Sequence, residues 1–384
     1  VFQRDPYLFN WGREYSNLLN MENITLRRSS INITDQLLRW YDAHQRILPW
    51  RAVGRETPDP YRVWLSEIML QQTQVVTVVS YFNRFIELWP KIESLAAADV
   101  NDVLREWAGL GYYARARNLH RCAQIITRDH AGEFPKEEAE LLKLPGIGPY
   151  TAAAMAAIAF GKDATPVDGN VERVIARVYR IKTPIKENKL IIKSLASQNT
   201  PKARTGDYAQ AVMDLGATVC TPRRPLCFTC PLTEFCGAFL HEETHAIPIS
   251  KKRKKAPKRE GTAYVIINTA NEILLYRRAE RGLLGGMLEV PSVGWEQDER
   301  HNELIRKLTM CRPHSKAITG TVEHVFTHFK LVLRVVVMRV EKNDWLAGLH
   351  WYSLDKIESV GLPKLMLKVV KHFLSSADNS NNTK

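Results

Sequence analysis

Apolar residues in the first two thirds of the chain recur at the spacing of a helix. From about Ile33 to Phe239 they return every three or four positions, and prolines and glycines separate one periodic segment from the next. The clearest segment keeps this spacing through the following positions and ends at Pro90: Trp64, Leu65, Ile68, Met69, Gln72 and Val75. The pattern predicts an all-α domain of several helices.

Beyond Gly261 the hydrophobic period changes. Short runs of branched apolar residues appear at 263–267, 273–278 and 331–338, and a turn at 269–272 separates the first two. Such runs predict β-strands, and the sequence between and after them predicts helices at Asn302–Met310 and Lys364–Leu374. The C-terminal third is therefore predicted to be an α+β domain.

These changes in pattern set the predicted domain boundaries. In chain order they are an N-terminal extension at 1–30, a helical domain at 31–241, a basic linker at 242–260, an α+β domain at 261–374 and a disordered polar tail at 375–384. The linker contains the basic run Ser250–Arg259. We interpret this run as a solvated connector, with a nuclear address or a strap that contacts phosphates as the alternatives.

Composition and charge narrow the classes of function. The 384 residues carry 54 lysines and arginines against 41 aspartates and glutamates, which gives a net charge of +13 and a pI near 9.4. A balance this basic favours an anionic partner, most often nucleic acid. The longest apolar run, Ala152–Phe160, is too short to cross a bilayer. We expect no membrane partner and no export signal, and hence a reducing compartment.

Four of the six cysteines lie close together in the sequence, at Cys220, Cys227, Cys230 and Cys236, with turn-forming and basic residues between them. Four thiolates brought together by tight turns suit a metal ion or an iron–sulfur cluster. Disulfides are disfavoured because the chain does not look like a secreted scaffold. Structural zinc usually uses two short cysteine pairs, and only one such pair is present. The spacing therefore favours a 4Fe–4S cluster and leaves zinc open.

The segment Leu142–Ala152 predicts two helices joined by a tight glycine turn. Gly146 and Gly148 permit positive φ and let bare backbone approach a ligand. Pro149 suits the first turn of the second helix, whose unpaired N–H groups attract an anion such as a DNA phosphate. An ordinary helical hairpin explains this fragment equally well.

Two carboxyl groups are candidates for chemistry. Asp168 precedes a predicted helix, where it is either a plain N-cap or an ionised carboxylate that stabilises a developing positive charge. Glu67 lies on a helix that is apolar nearly all round, so it either faces solvent or sits in a low-dielectric pocket that raises its pKa. One neutral acid and one carboxylate form the pairing that cleaves glycosidic bonds.

Together, the glycine hairpin, the segment 167–170 and the cysteine spacing resemble the helix-hairpin-helix, iron–sulfur DNA glycosylases. Within that superfamily the chain is similar to the A/G-specific adenine glycosylases, the MutY family. The likeness is carried by Leu48–Arg51, Ser66–Thr73, Gly109–Tyr113 and the C-terminal domain. It implies a six-helix barrel at roughly 56–163, a cluster subdomain built from 31–55 and 164–241, and a structural 4Fe–4S cluster on the four cysteines.

The resemblance implies a monofunctional enzyme that excises adenine mispaired with 8-oxoguanine or guanine in double-stranded DNA. Glu67 would protonate N7 of the flipped adenine, and Asp168 would stabilise the sugar cation with support from Tyr150 and Asn170. Relatives that also nick DNA carry a lysine at the position of Tyr150, which forms a Schiff base with the sugar. The alternative of a bifunctional oxidised-pyrimidine glycosylase and lyase is therefore disfavoured.

The same resemblance assigns the other substrate contacts. It implies an adenine pocket made of Arg46, Trp50, Arg51, Leu70, Val75 and Gln210. Gln72 and Tyr112 would fill the space around the opposing base. From the sequence alone, plain packing is the simpler explanation of Tyr112.

The C-terminal domain resembles the Nudix fold through Gly285–Pro291. It departs from active members at 298–305, where only scattered acids stand in place of paired catalytic glutamates, so pyrophosphate hydrolysis is not predicted. The resemblance implies that Phe326, Thr327 and His328 lie in a loop that recognises 8-oxoguanine. Without the resemblance, this loop is interpreted as an ordinary turn between strands.

One further alternative comes from a different class of protein. It is a non-catalytic, metal-stapled DNA-binding protein in which Glu67 and Asp168 serve only the structure. We expect a monomer in the bacterial cytoplasm, or in the nucleus or mitochondrion if the source is eukaryotic.

Overall fold

The computed structural model describes residues 32–249 except 53 and 55, residues 256–279, 282–295, 315–340 and 349–381, and residue 303. Several predictions fall on other residues. The N-terminal extension and most of the basic run in the linker lie outside the described residues. The same holds, except for residue 303, for the helix at 302–310 and for the segment 298–305. No helix in the described part of the chain is long and apolar enough to cross a membrane.

Helices account for most of the regular structure before residue 250. Their bounds are α1 Ile33–His44, α2 Pro60–Leu70, α3 Val75–Leu88, α4 Ile92–Ala97, α5 Val100–Glu106, α6 Ala114–Asp129, α7 Glu138–Leu141, α8 Pro149–Ile158, α9 Gly169–Val178, α10 Lys189–Gln198, α11 Thr205–Thr218 and α12 Gly237–Leu240. Single 3₁₀ turns lie at Ile185–Glu187, Cys227–Thr229 and Thr233–Phe235. The predicted all-α domain is confirmed, and α7 is a one-turn helix before the glycine hairpin.

Helix α2 is buried on almost every side, as its sequence predicts. Asp59 caps its N-terminus by accepting from the backbone N–H of Tyr61 at 2.8 Å, and Pro60 occupies the first turn, where a missing N–H costs nothing. Trp64 and Met69 are fully buried. Because the helix runs through the core, a polar side chain on it can reach only the interior or a cleft.

Helix α8 brings the segment after the glycine hairpin close to α2. Its residues 152–157 are buried, and all of them except Met155 are alanines. Small side chains allow backbones to approach closely, and α8 packs against both α2 and α11. This packing places the start of α8, with Tyr150, beside the middle of α2.

The C-terminal domain is a mixed sheet covered by a helix. The strands are β1 Lys258–Asn268, β2 Glu272–Arg277, β3 Leu288–Glu289, β4 Ser292–Val293, β5 Ser315–Val325, β6 Lys330–Val340 and β7 Leu349–Ser353, in the order β3-β2-β1-β6-β5 with β4 beside β1 and β7 beside β2. Strands β1 and β6 are parallel, with Ala263 opposite Val335, and the other pairs are antiparallel. The predicted strands and the α+β class are confirmed.

The last helix is longer than predicted. Helix α13 spans Lys364–Asn381 and packs against β1, β5 and β6 through side chains that include Met366 and Val369. The prediction that the helix ends at Leu374 and that disorder begins at Ser375 is wrong for residues 375–381. No glycine or proline interrupts this segment, so nothing in its sequence stops the helix.

The two domains contact each other directly. Met287 is buried within the core of the helical domain although it belongs to the C-terminal domain. Arg277 donates to the side-chain oxygen of Asn101 at 3.2 Å. The hydroxyl groups of Tyr112 and Thr327 lie 2.5 Å apart. The C-terminal loop predicted to recognise a base therefore lies against the helical domain.

Candidate active site

One cleft of about 400 Å³ gathers most of the predicted site residues. The predicted residues that line it are Arg46, Trp50, Arg51, Glu67, Leu70, Gln72, Val75, Tyr150, Asp168, Asn170 and Gln210. Its volume lies in the range of small-molecule pockets. Residues from α2, α8, α9 and α11 and the segment after α1 meet there, so the two candidate carboxyl groups share one cavity.

Asp168 is held at the N-terminus of α9 by three hydrogen bonds. Its Oδ1 accepts from the backbone N–H groups of Asn170 (2.9 Å) and Val171 (2.8 Å), and its Oδ2 accepts from the Asn170 side chain at 2.8 Å. Asp168 thus pairs with two N–H groups that have no partner within the helix. The N-cap interpretation and the functional one are compatible, because the capped carboxylate also lines the cleft.

Glu67 has the opposite environment. It is only 7% exposed, and burial raises the pKa of its carboxyl from 4.5 to about 7. The hydroxyl of Tyr150 and the charge of Arg51 oppose this rise in pKa, and the charge of Asp168 adds to it. A carboxyl with this pKa holds a proton in a large fraction of molecules at neutral pH. The alternative in which Glu67 faces solvent is wrong.

Tyr150 stands where it can interact with the acid. Burial raises the pKa of its phenol well above the ordinary value, so the side chain stays neutral. Its hydroxyl donates to the sulfur of Met213 at 3.4 Å and interacts with the Glu67 carboxyl. A phenol cannot form a Schiff base with a sugar, as a lysine amine at this position would.

Asp214 is a residue of the site that the sequence prediction missed. Its fully buried carboxylate accepts from Arg46 Nε at 2.6 Å and from both terminal nitrogens of Arg51 at 2.7 Å. Burial opposes its ionisation, but the hydrogen bonds and charge of Arg51, together with Arg46, hold its pKa below the ordinary value. Asp214 therefore fixes two arginines against one wall of the cleft. An aspartate between Met213 and Leu215 on an apolar helix is the signal that could have identified it.

Arg173 is a second residue that the sequence prediction missed, and it lies on α9 about one turn after Asp168. Its guanidinium donates to the Asn170 side-chain oxygen (2.8 Å), to the Gly216 carbonyl (2.6 Å) and to the Cys220 carbonyl (2.7 Å). It thereby fixes the amide of Asn170, which donates to Asp168. The same side chain connects the cleft to the start of the cysteine loop.

The glycine hairpin has the predicted shape with one difference. Gly146 has a φ of 79°, and a Cβ there would lie 2.9 Å from the Cβ of Asn118, so glycine is required. Gly148 caps α8 with a φ of −92°, so it does not use the positive φ that a glycine permits. A Cβ on Gly148 would meet no atom within 4 Å, which leaves the backbone N–H groups of α8 open to a ligand.

Four of the residues predicted to contact the substrate bases, Tyr112, Phe326, Thr327 and His328, are not among those that line the cleft. Thr327 and His328 are exposed at the tip between β5 and β6, and the Phe326 N–H donates to the Phe329 carbonyl at 2.8 Å to close the turn. Phe326 packs on its apolar neighbours, with ring centroids 4.8 Å from Phe329. The tip is therefore a tight turn between strands, and Thr327 meets Tyr112 across the domain boundary.

The four cysteines line one small cavity beside α9. Arg177, which is fully buried, donates to the Cys220 sulfur at 3.2 Å and to the Thr221 carbonyl at 2.8 Å. In the part of the chain that the structure describes, no three His, Cys, Asp or Glu side chains converge closely enough for a single metal ion. Four cysteine thiols on one cavity form a donor set that suits either a 4Fe–4S cluster or a zinc ion.

Comparison with known proteins assigns both domains. Residues 65–197 match the HhH-GPD superfamily of base excision DNA repair proteins, and residues 262–372 match the NUDIX domain. The fold and the cleft thus define a helix-hairpin-helix glycosylase that carries a C-terminal Nudix domain.

Curated relatives narrow this class. The chain is 34% identical to the adenine DNA glycosylase of Homo sapiens, over 87% of this chain and 72% of that protein. It is 32% identical to the adenine DNA glycosylase of Buchnera aphidicola subsp. Baizongia pistaciae, over 87% of this chain and 94% of that protein. A solved thermostable thymine-DNA glycosylase is 28% identical, with a TM-score of 0.48 over 54% of this chain and 95% of that one. The chain belongs to the adenine DNA glycosylase family.

Proposed function

We propose that this protein hydrolyses the N-glycosidic bond of adenine mispaired with 8-oxoguanine or guanine in duplex DNA. The observation that carries the proposal is the pair of unlike carboxyl groups in one cleft. Glu67 is buried with its pKa raised to about 7, and Asp168 is held by N–H donors at a helix terminus. Cleavage of the bond between a base and a sugar requires one group that donates a proton and one anion, and the cleft contains both.

The roles follow from these environments. A base extruded from the duplex enters the cleft, and extrusion costs least for a mispair. Glu67 donates a proton to N7 of adenine, which turns the base into a better leaving group. Asp168 stabilises the positive charge that develops on the sugar, either as an ion pair or through a transient bond, and water completes the hydrolysis. Asn170 and Tyr150 hold the two acids in place.

Position 150 is a tyrosine and not a lysine, so hydrolysis can be told apart from strand cleavage by experiment. A duplex with a central 8-oxoguanine:adenine pair should yield free adenine and an abasic strand that breaks only after alkali, because the cleft offers no amine to form a Schiff base with the sugar. Chromatography detects the base, and electrophoresis with and without alkali separates hydrolysis from strand cleavage. Strand breaks without alkali, or borohydride trapping of a protein–DNA adduct, would support the lyase alternative. No adenine release would overturn the proposal.

We also propose that the base opposite adenine is read where the two domains meet. Tyr112 and Thr327 approach each other there, and Gln72 lies at the rim of the cleft. The Thr327 hydroxyl is a donor suited to the edge of 8-oxoguanine. The chain has a net charge of +13, and contacts of its lysines, its arginines and the α8 N–H groups to phosphates would make binding weaken steeply with salt. The monomeric state and the cytoplasmic location stay predictions.

The cysteine cavity is proposed to hold a 4Fe–4S cluster on Cys220, Cys227, Cys230 and Cys236. When bound, the cluster would shape the loop that presents Arg223 and Arg224 to phosphates. Protein purified without oxygen should be brown and contain about four iron atoms per chain.

A cysteine substitution tests the cluster. Cys230→Ala should lose colour and iron and bind duplex DNA more weakly, because the loop loses one of its four attachments. Cys122→Ala removes a fully buried cysteine outside the loop and should keep the iron. A colourless wild-type protein with one zinc ion per chain would contradict the assignment. Iron content unchanged in Cys230→Ala would do the same.

A further inference from the structure

Arg115 joins the two turns that carry Gln72 and Tyr112. It lies in the first turn of α6, and its guanidinium donates to groups on both sides. The acceptors are the carbonyl oxygens of Ile68 (2.9 Å), Met69 (3.1 Å), Leu110 (2.8 Å) and Gly111 (3.2 Å) and the hydroxyl of Thr73 (3.3 Å). One side chain thus connects the last turn of α2 and Thr73 with Leu110 and Gly111. We call the turns at 70–73 and 109–112, which carry Gln72 and Tyr112, the wedge turns.

Both wedge turns hold a non-glycine residue in the left-handed region. The φ of Gln72 is 57° and that of Tyr112 is 48°. Residues with a Cβ rarely adopt this conformation, and they keep it only when surrounding contacts impose it. The Tyr112 side chain is 51% exposed, so packing alone does not fix it. The hydrogen bonds of Arg115 constrain both turns, and the contact of the Tyr112 hydroxyl with Thr327 adds a further constraint on Tyr112.

The chemistry of an arginine suits this position. Ile68 and Met69 lie in the last turn of α2, where carbonyl groups lack helical partners and a cation is favoured. The guanidinium also lies 5.2 Å from the ring centroid of Trp107 and 5.8 Å from that of Tyr112. Burial lowers the pKa of Arg115 to about 10, so it remains charged at neutral pH. A lysine cannot reproduce a planar fork that reaches five acceptors.

We infer that Arg115 is a positioning residue that fixes Gln72 and Tyr112 as one rigid pair, so that they occupy the space around the opposing base while adenine is extruded. Arg115 does not line the cleft and does not touch Glu67 or Asp168. Its loss should therefore impair extrusion of the base and leave the proton transfer intact. The inference rests on the proposed function, because the wedge turns matter only if a base leaves the duplex.

The test measures extrusion separately from chemistry. All proteins carry Glu67→Gln, which is expected to slow release of the base about 10³-fold, and bind a duplex with 2-aminopurine opposite 8-oxoguanine. Arg115→Lys should reduce the fluorescence rise at saturating protein by roughly tenfold, since small misplacements of positioning groups have effects of this size or larger. Arg128→Lys, an exposed arginine on the same helix, should leave the rise unchanged.

A double-mutant cycle with Tyr112→Ala shows whether Arg115 acts through the wedge turns. If it does, the two effects on fluorescence are not additive. Additive effects, or a full fluorescence rise in Arg115→Lys with thermal unfolding unchanged, would overturn the inference. If Arg115→Lys unfolds, Arg115→Gln repeats the measurement, and loss of the fold in both variants also overturns a positioning role. If the wild-type protein released no adenine, the proposed function would fail, while the fluorescence would still report on Arg115.

Discussion

Replacing Glu67 by glutamine should lower the single-turnover rate of adenine release by about 10³-fold, within the range that general acids contribute. Glutamine keeps the size of the side chain and its hydrogen-bonding atoms but has no proton to give to N7. The Glu67 carboxyl is buried on α2. Among the described residues, Asp168 is the only other acid that lines the cleft, so no second proton donor replaces Glu67. Glu172→Gln is the matched control, since Glu172 is half-buried near the same aspartate but outside the cleft.

The pH dependence of the rate gives a second view of the same residue. Burial raises the pKa of Glu67 to about 7, and the acid must be protonated to act. The rate of the wild-type protein should therefore be level below pH 6 and fall about tenfold per pH unit above the pKa. Single-turnover measurements between about pH 5 and pH 9 check both parts of this profile. A rate that stays level to pH 9, or that rises, would remove Glu67 from the role of proton donor.

Stability separates a lost acid from a lost fold. A carboxyl whose folded pKa exceeds its unfolded value binds protons more tightly in the native state, so the stability it contributes is complete below pH 4.5 and is lost as pH rises to 7. The shift corresponds to about 3 kcal/mol. At pH 8 the wild-type protein bears the free-energy cost of burying an ionised carboxyl. The Glu67→Gln variant has no charge to bury there, so it should resist denaturant better than the wild type at this pH. Lower stability at pH 8 would mean that inactivity reflects unfolding.

The two carboxyl groups that line the cleft could be predicted because each leaves a local signal in the sequence. Asp168 stands before a helix, and Glu67 interrupts an otherwise apolar helix, so each pattern restricts where its carboxyl can lie. Asp214, Arg173 and Arg115 each contact at least one group that lies far away in the chain. Their partners are set by how helices pack, which periodicity does not encode.

The same distinction holds for the C-terminal domain. Branched apolar runs predict the strands β1, β2 and β6 because a strand buried on one or both faces needs such side chains. No local sequence pattern specifies that β1 and β6 pair in parallel, because the relative direction of the two strands depends on the path of the chain between them. The contact between Tyr112 and Thr327 is likewise a consequence of domain packing.

Replacing Asp168 by asparagine should reduce adenine release by about 10²- to 10³-fold, the usual effect of removing one group that stabilises developing charge. The substitution keeps the shape of the side chain and an oxygen that can accept from the N–H groups of Asn170 and Val171, so α9 keeps its cap. What is lost is the negative charge beside the sugar, and with it the preference of the cleft for a cation.

A matched control separates this charge from the capping role. Asp99 caps α5 by accepting from the Asn101 N–H at 2.7 Å, and it lies outside the cleft. Asp99→Asn should therefore change stability as little as Asp168→Asn does and leave the rate intact. Because the rate is measured after the base has entered the cleft, at saturating protein, the difference between the two variants isolates the chemical step. Equal rates in both would mean that the carboxylate of Asp168 only caps a helix, and the proposed stabilisation of the sugar cation would have no residue to provide it.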